Sequence, residues 1–154
     1  MSAGVPQVGQ TAPDFTARNQ HGQEVTRASL RGAPAVLVFY PFAFSGICTS
    51  ELCALRDDLA QFTAVDARVL AISCDPMFAL RAFADAQGLT FDLLADHWPH
   101  GRIAQDYGVF DEEHGVARRG SFVLDAEGTV TWSVLTGLGE ARSIAEHLQA
   151  LPAA

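Results

Sequence analysis

The feature that most constrains this chain is a strand of buried type that leads directly into a helix bearing a cysteine. An unbroken apolar run at 35–40 is typical of a strand covered on both faces, and Pro41 closes it. Apolar residues spaced along one helix face follow, at Leu52, Leu55, Leu59 and Phe62. The pattern predicts a helix over roughly 46–64 with Cys48 in its first turn. A thiol placed there is easily converted to a reactive thiolate.

Beyond this helix the chain alternates between apolar runs and helical patterns. We predict further strands at 68–73, 121–124 and 129–134, and helices at 76–88 and 140–150. Asp75 is the expected N-cap of the first of these helices, with Pro76 in its first turn and Gly88 at its end. This order predicts an α/β fold, in which helices flank a central mixed sheet. With a cysteine after the first core strand, the arrangement is thioredoxin-like.

The length and net charge of the chain limit the class of protein to which it can belong. The 154 residues, 49% hydrophobic, fit one domain spanning 1–154. No segment reaches the roughly 18 apolar residues of a membrane span, and residues 1–10 lack the pattern of a signal peptide, so a cytoplasmic protein is expected. A net charge of -8 argues against nucleic acid or an anionic membrane as partner. All 10 basic residues are arginines, which excludes lysine chemistry.

The three cysteines favour thiol chemistry over a disulfide scaffold or a metal site. His97 and His100, which flank a Trp-Pro pair, do not have the spacing of zinc ligands. We therefore predict no metal and no cofactor. Cys74 follows a predicted core strand, and we interpret it as a structural thiol.

Ionisation alone does not make a thiol a fast catalyst. Lowering a thiol pKa from about 8.5 to about 6 raises the thiolate fraction at pH 7 roughly 30-fold, but the accompanying loss of nucleophilicity removes roughly 10-fold. Fixed hydrogen-bond donors must therefore stabilise the charge that develops on the substrate. Ser45 has the spacing of an N-cap whose hydroxyl lies near the Cys48 sulfur. Arg118 and Arg119, just before a predicted core strand, are the best-placed guanidinium groups.

These residues form a recognisable set. Pro41, Ser45 and Cys48 resemble the active-site motif of the peroxiredoxins, and the segment RGSFVLD at 119–125 resembles the strand that carries the arginine of that family. Further similarity lies at 12–15, 96–101 and 107–110, so the resemblance covers nearly the whole chain. The segments PFAFSGIC and WPHG look most like the one-cysteine alkyl hydroperoxide reductase E branch.

The resemblance implies a thiol peroxidase that reduces hydrogen peroxide, organic hydroperoxides or peroxynitrite. Cys48 would attack the O–O bond and become a sulfenic acid. Arg119 and Ser45 would hold thiolate and peroxide together, while Pro41 shields the sulfur from water. The family more often has threonine at position 45; serine keeps the hydroxyl but loses a methyl group that fixes its rotamer.

Three further residues are expected at the substrate site. Phe42 or Phe44 would line an apolar entrance for the peroxide. Glu51 matches a glutamate common in this helix of the family, where it would orient an arginine, for which Arg56 is the candidate.

Cys53 leaves two alternatives open. Its spacing from Cys48 resembles that of the resolving cysteine in the peroxiredoxin Q branch, which would form an intramolecular disulfide. Residues five apart lie about 7.5 Å apart along a helix axis, beyond the usual Cα separation of a disulfide, so this bond requires local unwinding. In the other alternative, Cys53 is structural and an external thiol resolves the sulfenic acid.

The resemblance also bears on partners. Electrons would come from thioredoxin, a glutaredoxin-like protein or a low-molecular-weight thiol, and the protein would be a homodimer in one branch and often a monomer in the other. A thioredoxin-type disulfide reductase is disfavoured, because that chemistry uses cysteines separated by two residues. A redox-sensing or holdase module is the non-enzymatic alternative.

Overall fold

Seven strands form one central sheet in the computed structural model, which describes residues 4–152. These strands are β1 Thr16–Arg18, β2 Glu24–Thr26, β3 Ala35–Phe39, β4 Arg68–Ser73, β5 Asp92–Ala95, β8 Arg119–Leu124 and β9 Val130–Thr136. The order across the sheet is β2-β1-β5-β4-β3-β8-β9. A small separate hairpin pairs β6, Phe110–Asp111, with β7, Val116–Ala117. The centre of the sheet is parallel, from β3 through β4 to β5, and β8 joins β3 antiparallel.

Helices cover both faces of this sheet. They are α1 Gly46–Asp57, α2 Leu59–Ala64, α3 Met77–Gln87, α4 Arg102–Asp106 and α5 Ile144–Gln149. Alternate residues of β3 divide between two apolar cores: Val36 and Val38 pack with α1, α2, α3 and α5, and Leu37 and Phe39 pack with α4 and the N-terminal strands. The predicted mixed sheet flanked by helices is confirmed. Within residues 4–152, no helix is long and apolar enough to cross a membrane.

Several predicted boundaries were wrong. The helix expected over 46–64 is two helices, broken at Asp58. The N-cap of α3 is Pro76 rather than Asp75. The Asp75 carboxylate instead accepts hydrogen bonds from the Ala43 amide at 2.9 Å and the Ser73 hydroxyl at 2.7 Å. It therefore joins the loop after β3 to the end of β4.

The C-terminal helix is shorter than predicted. It starts at Ile144, where the Ser143 side chain caps it by accepting a hydrogen bond from the Glu146 amide at 3.3 Å. Residues 140–143 are consequently a loop, and this loop carries Arg142 into the interior. Strand β5 was not predicted, because it is too short to show a clear periodicity.

The strand register places Arg119 beside the cysteine helix. Because β8 runs antiparallel to β3, with Ser121 opposite Val38, the start of β8 lies at the carboxyl end of β3. Arg119 is two residues before Ser121 and therefore lies next to the segment that leads into α1.

Gly120 on β8 lies close to the side chain of Val109, in the segment between α4 and β6. Gly120→Ala should therefore disturb the packing of these two segments. A Cβ added there would lie 2.8 Å from Cγ1 of Val109, a buried and stiff side chain. We expect Gly120→Ala to lower the free energy of unfolding by about 1–3 kcal/mol, measured by urea denaturation. Combining it with Val109→Ala should cost less than the sum of the two single changes; strict additivity would contradict the steric explanation.

Candidate active site

Cys48 is the third residue of α1, as the sequence predicts, and its side chain is completely buried. Ser45 is the N-cap, with extended backbone angles, and its carbonyl accepts a hydrogen bond from the Thr49 amide at 2.9 Å. The expected side-chain cap is not formed, because the Ser45 hydroxyl donates to the carbonyl of Phe42 at 3.2 Å. The first-turn amides of α1 consequently donate no hydrogen bond to the Ser45 side chain.

A mostly apolar pocket of about 340 Å³ lies over the start of α1. It is lined by Pro41, Phe42, Ser45, Gly46, Ile47, His114, Val116, Arg119 and Leu138. The structure thus brings together three residues of the predicted motif, Pro41, Ser45 and Arg119, directly beside the turn that carries Cys48.

The two phenylalanines of the predicted entrance have different surroundings. Phe42 lines the pocket and is half exposed. Phe44 does not line it; its ring packs against that of Phe83, with centroids 5.0 Å apart. Phe44 has a φ of 70°, which turns the chain between β3 and α1 and directs this side chain toward α3.

Arg119 is held by a buried carboxylate. Its Nη1 donates to Glu51 Oε1 at 2.6 Å, and its Nε donates to the carbonyl of Leu138 at 2.7 Å. Arg142 donates to both oxygens of the same carboxylate, through its backbone amide at 2.7 Å and through Nε and Nη2, both at 2.9 Å. Two guanidinium groups around one carboxylate leave a net positive charge beside the pocket. Such a charge stabilises a thiolate or a departing oxyanion.

The expected pairing of Glu51 with Arg56 was wrong. Arg56 instead donates to Asp57 Oδ1 at 3.0 Å and to the carbonyl of Gln87 at 2.6 Å. The reason is helical geometry: Glu51 faces the core together with Cys48, whereas a residue five positions further lies about 140° around the helix.

Arg142 is the site residue that sequence reasoning missed. It follows a Gly-rich loop and precedes a short helix, a context without any functional motif. One signal was available: it is the sole arginine after Arg119, and a glutamate on the buried face of α1 requires cationic partners.

The pKa of Glu51 reflects this pairing. Burial alone would raise it, but the hydrogen bonds and charge of Arg142, with the charge of Arg119, lower the pKa below its usual value. Glu51 is therefore a carboxylate at neutral pH. The cluster of Glu51, Arg119 and Arg142 is therefore fully charged at neutral pH.

His147 is completely buried, and its titration should make the stability of the fold depend on pH. Burial lowers its pKa, so the unfolded chain binds a proton at a pH where the folded chain does not. Stability contributed in this way is lost as pH falls below about 6.5, the ordinary histidine value. We expect urea unfolding at pH 7, 6 and 5 to show that wild type loses more stability than His147→Gln. Asp96, whose burial raises its pKa to about 6, titrates with the opposite sign but cancels in this difference; equal pH slopes would contradict the assignment.

The other two cysteines have distinct environments. Cys53 is half-buried on α1, with its sulfur 3.5 Å from Oε1 of Gln87. Cys48 and Cys53 are both free thiols in one unbroken helix. Cys74 is buried, and burial together with the charges of Asp96 and Asp75 raises its pKa to about 12. Cys74 therefore stays a protonated, unreactive thiol.

In the 96–101 segment, His97 is exposed and His100 contacts the backbone. The Nε2 of His100 lies 2.7 Å from the carbonyl of Gly115. Among the residues that the structure describes, no group of three or more His, Cys, Asp or Glu side chains is placed to hold a metal ion.

Comparison with known proteins places this geometry in a family. Residues 8–133 match the model of the AhpC/TSA family. The chain is 49% identical over 136 residues to alkyl hydroperoxide reductase E of Mycobacterium tuberculosis, which covers 88% of this chain and 89% of that protein. It is 33% identical to peroxiredoxin-2 of Mus musculus, over 99% of this chain and 81% of that protein.

Solved structures agree. The crystal structure of Enterococcus faecalis AhpC matches with a TM-score of 0.86 at 28% identity, covering 94% of this chain and 90% of that chain. Peroxidoxin BcpB from Mycobacterium tuberculosis matches with a TM-score of 0.84 at 28% identity, covering 96% and 99%. The thioredoxin-like peroxiredoxin fold is thereby confirmed. The chain belongs to the AhpC/TSA family and is a peroxiredoxin, a thiol-dependent peroxidase.

Proposed function

We propose that Cys48 is the thiol with which this peroxiredoxin reduces hydrogen peroxide, organic hydroperoxides or peroxynitrite. The observation that carries the proposal is the pocket beside the first turn of α1, which contains Pro41, Ser45 and Arg119. Its largely apolar lining suits the carbon chain of an organic hydroperoxide. Its one buried guanidinium supplies the charge that peroxide cleavage requires.

The reaction is a displacement at oxygen. The Cys48 thiolate attacks the terminal oxygen of R–O–O–H, the S–O bond forms as the O–O bond breaks, and RO⁻ departs. RO⁻ then takes up a proton to give an alcohol or water, and Cys48 is left as a sulfenic acid. Arg119 stabilises the negative charge as it moves from sulfur to the departing oxygen. The Ser45 hydroxyl, at the pocket wall, can turn from the Phe42 carbonyl to the bound peroxide.

Cysteine variants test this assignment. We expect Cys48→Ser to abolish the rapid reaction with hydrogen peroxide and with cumene hydroperoxide, measured by stopped-flow tryptophan fluorescence or by competition kinetics. Cys74→Ser is the matched control and should react at the wild-type rate, because that thiol is buried and protonated. A fast peroxide reaction that survives in Cys48→Ser would sink the proposal.

Cys53 is the proposed resolving residue. After local unwinding of α1, its thiolate would attack the Cys48 sulfenic sulfur, form the disulfide and release hydroxide, which becomes water. A dithiol protein of the thioredoxin or glutaredoxin type, or a low-molecular-weight thiol, would then reduce the disulfide. Unwinding is easiest in the first turn, since its amides have few partners within the helix. A cytoplasmic location fits these reductants and stays a prediction.

One observation favours the one-cysteine alternative. Glu51 lies between the two cysteines, and unwinding through it would separate its carboxylate from both Arg119 and Arg142. Leaving buried guanidinium groups unpaired is costly. Dimedone labelling after peroxide addition distinguishes the routes: if Cys53 resolves, Cys53→Ser accumulates far more labelled sulfenic acid than wild type. Equal labelling in both proteins would make Cys53 structural and assign resolution to an external thiol.

A homodimer is the proposed assembly. Four aromatic side chains at least half exposed follow the carboxyl ends of the adjacent parallel strands β3, β4 and β5: Phe42, Phe44, Phe78 and Trp98. A second copy of the chain would remove this apolar surface from water. Sedimentation velocity should give a dimer for wild type and a monomer for Phe78→Asp. A monomeric wild type at micromolar concentration would contradict the proposal.

A further inference from the structure

The hydrogen bonds around Glu51 continue beyond Arg142 to the C-terminal helix. Arg142 Nη1 donates to the carbonyl of Gly120 at 2.9 Å and to Oγ of Ser121 at 3.0 Å. Nε2 of His147 lies 2.8 Å from the same Oγ, and its Nδ1 lies 2.7 Å from the carbonyl of Ser143. Ser121 and His147 are completely buried, so their side chains are removed from bulk water.

Each of these hydrogen bonds has only one possible donor and one possible acceptor when the His147 ring is neutral. The Ser143 carbonyl can only accept, so Nδ1 of His147 carries the hydrogen. In the neutral ring Nε2 is then an acceptor, and it must receive the hydroxyl hydrogen of Ser121. With that hydrogen committed, Ser121 Oγ turns a lone pair toward Arg142, a group that can only donate.

We propose that Ser121 and His147 are positioning residues for the peroxide reaction. They orient the Arg142 guanidinium, which orients the Glu51 carboxylate, which in turn holds Arg119 at the pocket. The inference rests on the proposed role of Arg119. Ser121 is on β8 two residues from Arg119, and His147 is on α5, so the chain of hydrogen bonds ties the C-terminal helix to the active site.

The groups that face His147 indicate how the arrangement responds to acid. They are Arg142, Ser143 and Glu146 around the start of α5, Glu51 on α1, Ser121 on β8, and Trp132 on β9, whose ring centroid is 5.1 Å away. Protonation would turn Nε2 into a donor and force the Ser121 hydrogen to a new direction. It would also add a second positive charge close to Arg142. The Arg119 geometry should loosen as a result.

The test compares two reactions of Cys48 in the full-length protein, with alkylation followed on the Cys48 peptide by mass spectrometry because Cys53 is also a free thiol. Peroxide reduction needs Arg119 at the departing oxygen, whereas alkylation by iodoacetamide forms no oxyanion and depends on Arg119 only through the thiolate. We expect Ser121→Ala and His147→Leu to slow peroxide reduction about tenfold, the effect of one buried hydrogen bond to a charged group, and to slow alkylation much less. His147→Gln offers an acceptor that does not titrate, so it should react close to the wild-type rate at pH 7. Ser133→Ala on β9 is the control for a serine lost from a neighbouring strand.

The pH dependence of these two rates distinguishes a positioning role of His147 from a purely structural one. The ratio of the peroxide rate to the alkylation rate should fall in acid for wild type and stay constant for His147→Gln. Wild-type ratios in Ser121→Ala and His147→Leu would overturn the inference. If those two variants do not fold, the His147→Gln profile decides it alone: a fall as large as that of wild type would overturn the inference. A wild-type peroxide rate in Cys48→Ser would instead refute the proposed function, so the two failures are distinguishable.

Discussion

Arg119→Ala is expected to slow peroxide reduction by about 100- to 1,000-fold while the protein stays folded. The guanidinium is the buried charge that lines the pocket, and the substrate oxygen becomes negative as the O–O bond breaks. The fold should survive because Glu51 keeps its three hydrogen bonds from Arg142. Stopped-flow rates with hydrogen peroxide, together with urea unfolding of the same samples, measure both effects.

Two further variants separate charge from geometry. Arg118→Ala removes the same charge from the adjacent residue and should react at close to the wild-type rate. Arg119→Lys keeps the charge but cannot donate to Glu51 and the Leu138 carbonyl in the same planar geometry, so an intermediate rate is expected. A wild-type rate in Arg119→Ala would show that this guanidinium does not act on the substrate.

Glu51→Ala is expected to destabilise the fold by about 3–5 kcal/mol, because two buried guanidinium groups lose their shared carboxylate. Peroxide reduction should be lost as well, since Arg119 is then no longer held at the pocket. Glu127→Ala, in the exposed turn between β8 and β9, is the control and should change the free energy of unfolding by less than about 0.5 kcal/mol. Urea denaturation at pH 7 measures both.

Arg119→Ala and Glu51→Ala should differ in their effect on the stability of the fold. Arg119→Ala should affect mainly the rate, and Glu51→Ala should affect both rate and stability, because one carboxylate balances two cations. A loss of stability in Glu51→Ala no larger than that of Glu127→Ala would mean that the cluster contributes nothing to folding.

Sequence reasoning could predict much of this site because its parts are close in the chain or in adjacent strands. Pro41, Ser45 and Cys48 lie within one loop and helical turn, so their spacing alone brings them together. Arg119 was predicted from its place before a core strand and from the family resemblance of the 119–125 segment, and the antiparallel pairing of β8 with β3 explains why it lies at the site. Arg142 could not be found in the same way, since it reaches Glu51 across 91 positions from a loop without a motif.

The errors in the fold have equally local causes. The helix break at Asp58 has no proline or glycine to mark it, and both sides keep the same apolar face. Asp75 is a residue type that favours the N-cap position, but its carboxylate accepts hydrogen bonds from Ala43 and Ser73, which lie outside the helix. Phe42 and Phe44 are the same residue type, and only the backbone turn at Phe44 directs its ring away from the pocket and toward Phe83 on α3.

The most direct test of the account is the intact mass and thiol count of the reduced protein after one equivalent of hydrogen peroxide. The account predicts the loss of two thiols and of two hydrogens, with peptide mapping that joins Cys48 to Cys53 and leaves Cys74 free. One added oxygen on Cys48 would keep the peroxidase chemistry and remove Cys53 from it. An unchanged mass with all three thiols intact would contradict the central claim that Cys48 reduces peroxide.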